Sequence, residues 1–450
     1  MTLDPAAFKA YDVRGTYPDQ LDEEGAGRIG RAFPALTGAK RVAVGHDVRL
    51  SSPSMSAALC DGVRSAGADV CELGLAATEM VYFAVAEGGY DAGAIITASH
   101  NPPNYTGAKL VLAGALPLSG DTGIGELGRM AARDDTPAAA QSGGTTTDPG
   151  LLGRFVDCAL GFVTPEKITG LRVVMDAANG MAGLYIPSVL ERLAIDAVPY
   201  FLDLDGRFPN HEPNPLLEEN RAFIESKVVA DKADLGIAWD GDADRCFFID
   251  DKGAFVPGDF LTALLAEHLL RRSGPAPIVY DLRASWAVRD TILAAGGTPD
   301  EHRVGHAFIK RRMREIDALF AGEVSGHYYF RDFSYADTGL IPALLTLEMI
   351  SEAGRPLSEL IARFHDKYHI SGEINSTVAD SEAALERIRT RYADGRQTEM
   401  DGLSVAFDDW HLNVRSSNTE PLLRLNLESL VSQADMERRR DEVLELIHGS

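Results

Sequence analysis

Thr97-Ala98-Ser99-His100-Asn101-Pro102-Pro103 follows the apolar run Ala94-Ile95-Ile96. A short, wholly apolar run is what a strand buried on both faces of a parallel sheet requires. The polar residues therefore fall where that strand leaves the sheet, the place at which α/β folds put their chemistry. Ser99 supplies a hydroxyl nucleophile and His100 a titratable neighbour, and the two prolines keep a helix from starting smoothly after Asn101. A capped turn, with Thr97 or Ser99 bonded to backbone amides, would use the same residues without any reaction.

A second apolar run, Leu235-Gly236-Ile237-Ala238-Trp239, leads into Asp240-Gly241-Asp242-Ala243-Asp244-Arg245. Three carboxylates at alternate positions repel one another and raise each other's pKa unless a cation sits among them. Oxygen-only ligands select a hard divalent ion, Mg²⁺ or Ca²⁺ over zinc, and Mg²⁺ commonly adds a phosphate oxygen to a few carboxylates. The glycine and distal glutamate of an EF-hand are not at the required offsets. A solvated acidic turn is the alternative.

Between and beyond these loops, strand and helix patterns alternate. Arg41-Val42-Ala43-Val44-Gly45 reads as a strand before His46-Asp47-Val48-Arg49, a helical stretch starts at Met55 and ends near Gly67, and Lys109-Leu110-Val111-Leu112 reads as a short strand headed by a lysine. Asp134 to Gly150 is rich in small and polar residues and has no apolar period, so it reads as a linker. A helix from Leu151 and a strand over Leu171–Asp176 follow, with a turn at Ala177–Gly183 whose amides suit an anion but whose spacing is not the dinucleotide fingerprint. Asp250-Asp251-Lys252-Gly253 closes a hairpin, after which Phe260–Arg272 is helical and Pro277–Tyr280 is a strand. Past Ser371, strands over Leu403–Phe407 and Leu422–Leu427, flanked by helical stretches at Ala383–Tyr392 and Gln433–His448, predict an antiparallel α+β unit. The fold expected is α/β: three similar mixed domains with largely parallel sheets, over 1–150, 151–254 and 255–370, and a C-terminal α+β domain over 371–450.

Charge narrows the function. With 43 basic against 67 acidic residues the formal charge is -24, which repels polyanions and argues against nucleic acid or anionic membranes as partners. An anionic small molecule then needs a local positive pocket. Cys60, Cys71, Cys158 and Cys246 show no metal-ligand spacing and read as reduced core residues, in keeping with a cytoplasmic protein. The first residues lack the character of a signal peptide, and no apolar run approaches the ~20 residues that span a bilayer.

Four loops carry a family resemblance: Thr97–Pro102, Asp240–Arg245, Gly322-Glu323-Val324-Ser325-Gly326-His327 and Arg415-Ser416-Ser417-Asn418-Thr419-Glu420-Pro421. In this order, one per quarter of the chain, they resemble the signature loops of the α-D-phosphohexomutases, in wording similar to the bacterial phosphomannomutase/phosphoglucomutase branch. The resemblance covers essentially the whole chain. It implies four domains around a central cleft, one Mg²⁺ per chain held by Ser99, Asp240, Asp242 and Asp244, and reversible transfer of phosphate between O1 and O6 of mannose or glucose. That transfer would run through phosphoserine 99 and a hexose 1,6-bisphosphate, which is both intermediate and activator. It further implies Ser99, His100, Lys109, Arg14 and His327 as catalytic residues. Substrate contacts would come from Tyr11, Arg245, Arg283, His306, Glu323, Ser325, His327, Arg415, Ser417, Asn418 and Thr419. Glu323 and Ser325 suit sugar hydroxyls, since a carboxylate accepts two adjacent O–H groups, and the 415–419 loop offers donors suited to a phosphate. Lys109 must be depressed well below its usual ~10.4 to act as a base, and phosphates push the other way.

Two positions depart from the family's usual wording, Arg283 where lysine is common and Val324 where methionine is common. Phosphoglucosamine mutase is the nearest competitor within the superfamily. Outside it stand a serine-dependent metal phosphomonoesterase and a non-catalytic phosphosugar-binding protein. A monomer or weak homodimer is expected, with a phosphosugar as the partner.

Overall fold

The computed structural model describes residues 3–416 and 422–449, so Ser417, Asn418 and Thr419 lie outside the described residues. The chain divides into two compact units. One holds the residues up to Val256 together with Met313–Phe320 and Ser325–Leu357; the other holds Pro257–Arg312, Ala321–Val324 and the residues from Ser358 onward.

The first unit begins with a seven-stranded sheet built from β1 (Val13–Thr16), β2 (Arg41–His46), β3 (Asp69–Leu75), β4 (Ala92–Ile96), β5 (Tyr105–Leu112), β6 (Leu116–Pro117) and β7 (Thr145–Thr147). The main path runs β1-β5-β4-β2-β3-β7, with β6 on β5. All five residues of β4 are buried, as its apolar run requires, and β4 pairs in parallel with β2. The chain then turns back at once, so β5 runs antiparallel to β4 and to β1. The expected four-residue strand at Lys109 is thus the C-terminal half of an eight-residue one. Its N-terminal half, Tyr105-Thr106-Gly107-Ala108, lacks a long apolar run and gives little sign of a strand. Gly107 is there because β1 passes close by: a Cβ on it would lie 2.1 Å from the Val13 carbonyl oxygen.

Helices α1 (Glu23–Thr37), α2 (Ser52–Ser65) and α3 (Thr78–Glu87) belong to this sheet's layer of structure. Asp22 caps α1 by accepting from the Gly25 N–H, and Gly38 ends it in the left-handed conformation. Ile29, Phe33, Leu59 and Val63 pack with Val42, Val44 and Leu110 in one buried core, where each large side chain contributes roughly 1.5–3 kcal/mol. The stretch read as a linker is not wholly without structure, since Thr145–Thr147 form β7 beside β3. Its three threonines are all exposed, so no apolar pattern could announce it; it is held as an edge strand by main-chain hydrogen bonds, with Arg64 donating to Thr145 Oγ1 at 2.7 Å.

A second sheet in the same unit takes β8 (Thr169–Asp176), β9 (Ala194–Tyr200), β10 (Leu235–Trp239), β11 (Cys246–Ile249) and β12 (Phe255–Val256) in the order β12-β11-β10-β8-β9. The β10 strand is buried throughout and lies parallel to β8, and the loop of three aspartates joins it to the antiparallel β11. Next in the chain come β13 (Pro277–Asp281), β14 (Thr298–His302), β15 (Phe320–Gly322), β16 (Tyr328–Phe330) and β17 (Ala336–Asp337). In the second unit β13 and β14 pair in parallel, and in the first β16 and β17 pair antiparallel.

The end of the chain forms an antiparallel sheet from β18 (His369–Ile370), β19 (Ile374–Thr377), β20 (Arg396–Thr398), β21 (Leu403–Ala406), β22 (Trp410–Ser416) and β23 (Leu422–Ser429). Leu412, Val414, Leu423 and Leu425 face Ile388 from the helix Ser381–Arg391 and Val443 and Ile447 from the helix Gln433–His448. The architecture is therefore mixed α/β with an antiparallel C-terminal sheet. Among the described residues no helix is long and apolar enough to cross a membrane.

Candidate active site and acidic cluster

Ser99 stands just past the end of β4 with φ at +53°, a left-handed conformation that a serine adopts only when its surroundings hold it there. Arg49 does the holding. Fully buried, it donates from Nη2 to the carbonyls of Ser99 (2.8 Å) and Asn101 (2.6 Å) and from Nη1 to those of Pro102 (2.7 Å) and Tyr105 (3.3 Å). Its Nε donates to Asp47 at 3.2 Å, so all five guanidinium N–H groups have an acceptor. In the sequence the only signal for either residue is an Asp and an Arg two apart after a strand.

The acidic loop meets this serine. Ser99 Oγ donates to Asp240 Oδ2 at 3.0 Å across 141 positions of chain, and lies 3.2 Å from His100 Nδ1. Gly241 makes the approach possible, because a Cβ on it would sit 2.5 Å from the Ser99 carbonyl oxygen. Asp240, Asp242 and Asp244 are all buried, and each can offer one oxygen such that the three lie within 4.8 Å of one another.

Two cations already face the trio. Arg245 brings Nε to 2.8 Å and Nη2 to 2.7 Å from Asp240 Oδ2, while Lys109 Nζ donates to Asp242 Oδ2 at 2.6 Å and also to Asp244. Burial pushes the Asp240 carboxyl up to about 7 despite Arg245. For Asp242, burial and Asp244 push upward, but the ammonium of Lys109 and the hydroxyl of Thr78 bring the net shift below the ordinary value. Burial opposes the charge on Lys109, yet the three aspartates outweigh it and hold the amine protonated well above its usual range. Such a lysine suits a proton donor or a fixed charge rather than a base. His100 goes the other way: burial first, then Arg245 and Arg14, keep its imidazole neutral far below the ordinary histidine value.

Arg14 on β1 donates from Nη1 to Asn101 Oδ1 at 2.7 Å and pairs with Asp12; Tyr11, just before this strand, is half-buried. Ser325 Oγ lies 3.0 Å from His327 Nδ1, and His327 Nε2 lies 3.7 Å from Asp244. These groups all belong to the first unit.

The donor set fits a hard cation. Three buried carboxylates face two cationic side chains, and Asp242 Oδ1 is buried with no hydrogen-bond partner among the described residues. A buried carboxylate oxygen without a donor is costly, and a divalent ion with oxygen preference removes that cost.

In the second unit, Glu323 is buried and accepts from the Gly305 N–H at 2.9 Å, immediately before His306 opens the helix His306–Ile316. Arg283 grips Asp281 through Nε and Nη2, both at 2.9 Å, and reaches Glu373 at 3.2 Å. Arg415 and Arg424 reach the same glutamate at 3.1 and 3.4 Å. Arg415 and Ser416, expected in a loop, are instead the last residues of β22.

Family profiles match the chain in four consecutive pieces: phosphoglucomutase/phosphomannomutase alpha/beta/alpha domains I (residues 5–134), II (154–253) and III (257–368), and the C-terminal domain (373–446). The chain belongs to the phosphoglucomutase/phosphomannomutase family. A phosphomannomutase of Salmonella montevideo is 43% identical over 450 residues, 98% of this chain and 99% of that one. Proteins described as phosphohexose mutases from Xanthomonas campestris pv. campestris (strain B100) are 43% identical over the full length of both. Among solved structures, a phosphoglucomutase/phosphomannomutase family protein of Burkholderia thailandensis superposes with a TM-score of 0.89 at 33% identity, covering 99% of this chain and 98% of that one. Membership makes the protein a phosphohexose mutase, an isomerase.

Proposed function

We propose that the chain interconverts the 1- and 6-phosphates of mannose and of glucose by relaying a phosphoryl group through Ser99. Phosphoserine 99 donates to the free hydroxyl of the bound sugar phosphate: a P–O bond forms to the sugar oxygen, the bond from phosphorus to Ser99 Oγ breaks, and the hydroxyl proton passes to a base. The product is a hexose 1,6-bisphosphate, which turns over before its other phosphoryl group returns to Ser99 and the vacated sugar oxygen regains a proton. The observation that carries this reading is the hydrogen bond from Ser99 Oγ to Asp240, inside a carboxylate cluster that can hold a cation.

Asp240, Asp242, Asp244 and Ser99 are proposed to bind one Mg²⁺, whose charge offsets that of the phosphoryl oxygens. Lys109, held protonated, serves as acid, with His100, His327 and Arg14 as the other groups beside the serine. Tyr11, Arg245, His306, Glu323, Ser325 and His327 are proposed to bind the sugar phosphate. Arg283, Arg415, Ser417, Asn418 and Thr419 are proposed to hold the phosphate that is not reacting. The boundaries proposed for the four family domains are 150, 254 and 370.

Ser99→Ala should lower isomerisation of glucose 1-phosphate and mannose 1-phosphate by at least about 10³-fold. Its circular dichroism spectrum should match that of the wild type. Intact-mass analysis should find an adduct of about 80 Da on the wild type after exposure to glucose 1,6-bisphosphate and none on the variant. Full turnover by Ser99→Ala removes the serine as carrier, and release of inorganic phosphate in place of isomer assigns the site to hydrolysis.

A further inference from the structure

Thr78 has no part in the functional reading so far, yet it touches the centre of the acidic loop. It opens α3, is fully buried, and donates from Oγ1 to Asp242 Oδ2 at 2.5 Å and from its backbone N–H to the Asp242 carbonyl at 3.1 Å. These contacts cross 164 positions of chain. A buried hydroxyl is costly unless it is bonded, so a threonine here, rather than the valine of the same shape, points to the acceptor it serves. The amide ends of α3 carry partial positive charge toward the same residue.

The two donors to the Asp242 side chain converge on one oxygen. Lys109 Nζ and Thr78 Oγ1 both bond Oδ2, and Oδ1 is left buried without a donor among the described residues. A carboxylate end torsion is broad and roughly two-fold, so with Lys109 alone the group could rock about its axis. The threonine adds a second direction, and its own χ1 is stiff because Cβ is branched. The next residue anchors that end of the helix, since Glu79 Oε2 accepts from the Gly339 N–H at 3.1 Å and the Leu340 N–H at 3.4 Å, where the helix Leu340–Ala353 begins.

We propose that Thr78 is a positioning residue for the cation: it locks the Asp242 carboxylate so that Oδ1 faces the ion. The proposal rests on the reading of Asp240, Asp242 and Asp244 as the cation site. Partners that orient a ligating carboxylate typically set metal affinity by 10–100-fold.

The test is Mn²⁺ binding to the purified full chain, followed by titration calorimetry and by the electron paramagnetic resonance signal of free Mn²⁺, with no substrate present. Thr78→Val should weaken the dissociation constant by about 10-fold or more, and Thr78→Ser, which keeps the hydroxyl, should stay within about twofold of the wild type. A residue that only supports the fold would lower the melting temperature of the metal-free protein and leave Mn²⁺ affinity alone; that result overturns the proposal. If Thr78→Val does not fold, the smaller Thr78→Ala carries the same expectation and the same power to refute. Asp242→Asn separates the two layers of the argument. A wild type that binds no Mn²⁺, or an Asp242→Asn variant that binds it as tightly, sinks the cation reading itself. Loss in Asp242→Asn with wild-type affinity in Thr78→Val sinks only the role of Thr78.

Discussion

The Ser99 corner of the first unit and the Glu373 cluster of the second are built on opposite charge logic. Around Ser99 three aspartates face two cations, and a carboxylate oxygen, Asp242 Oδ1, is among the buried atoms with no hydrogen-bond partner among the described residues. Around Glu373 three arginines, Arg283, Arg415 and Arg424, face two carboxylates, Asp281 and Glu373. There the groups left over among the described residues are N–H donors, Nε of Arg415 and of Arg424. Counted over these side chains alone, the first has one formal negative charge in excess and the second one positive. A cation would balance the first and an anion the second, within a chain of net charge -24.

The two clusters also differ in what holds them. Arg49 binds four carbonyls and Asp47 and leaves no donor idle, so it sets the backbone of the serine loop. Arg415 is tied to one carboxylate. Replacing Arg49 by Met should therefore cost about 3–5 kcal/mol in urea unfolding, because a buried aspartate and four carbonyls lose their partner together. Arg415→Met should cost only about 1 kcal/mol, because Glu373 keeps Arg283 and Arg424 as partners. Equal losses in the two variants would erase the distinction between a scaffold arginine and one proposed to face a ligand.

What the sequence disclosed follows the same division. β4 and β10 announce themselves because a strand buried on both faces must be apolar along its length, and the polar loops behind them stand out by contrast. The Ser99 and Asp240–Asp244 loops could be picked out one at a time, but no local pattern states that they touch. Arg49 and Thr78 stayed hidden for a related reason. A buried arginine and a surface one are the same letter, and a threonine opening an apolar helix resembles an ordinary helix start. β22 carries the alternation of Trp410, Leu412 and Val414, but its last residues, Arg415 and Ser416, also open the polar Arg415–Thr419 motif, and a polar motif at a strand's end reads as a loop. Glu373, which gathers the three arginines, sits in a polar stretch between short strands and gives no signal.

The acidic surplus of the first unit reaches beyond the loop itself. Glu79 is fully buried, and burial, with Asp244 as a smaller contribution, pushes its carboxyl from 4.5 up to about 8. The folded protein therefore holds a proton that the unfolded chain releases, so stability is fully present below about 4.5 and is lost as pH rises toward 8. The loss is roughly 5 kcal/mol. Glu79→Gln keeps an oxygen for the Gly339 and Leu340 amides and cannot ionise. Its melting temperature relative to the wild type should climb between pH 5 and 8 and level off above. A difference that does not change with pH would show that Glu79 is ionised in the fold and that the acidic surplus is local to the loop.

An effect as small as that at Arg415 bears most directly on the second cluster. Three guanidinium groups draw the Glu373 carboxyl below its ordinary value against the pull of burial, so it is ionised at neutral pH and offsets part of their charge. Glu373→Gln leaves an excess of two positive charges over Asp281 where the wild type has one. In chloride buffer the variant should lose about 1 kcal/mol, or roughly 2–4 °C of melting temperature for the unit that contains it. Millimolar inorganic phosphate, matched in ionic strength with chloride, should restore that loss and stabilise the variant more than the wild type, because a bound dianion replaces the missing carboxylate. The matched salt matters: screening alone relieves repulsion with any anion. A phosphate effect no larger than that of chloride would mean that the arginines form an internal ion network complete with Glu373, and the symmetry between a cation-seeking and an anion-seeking cluster would be lost.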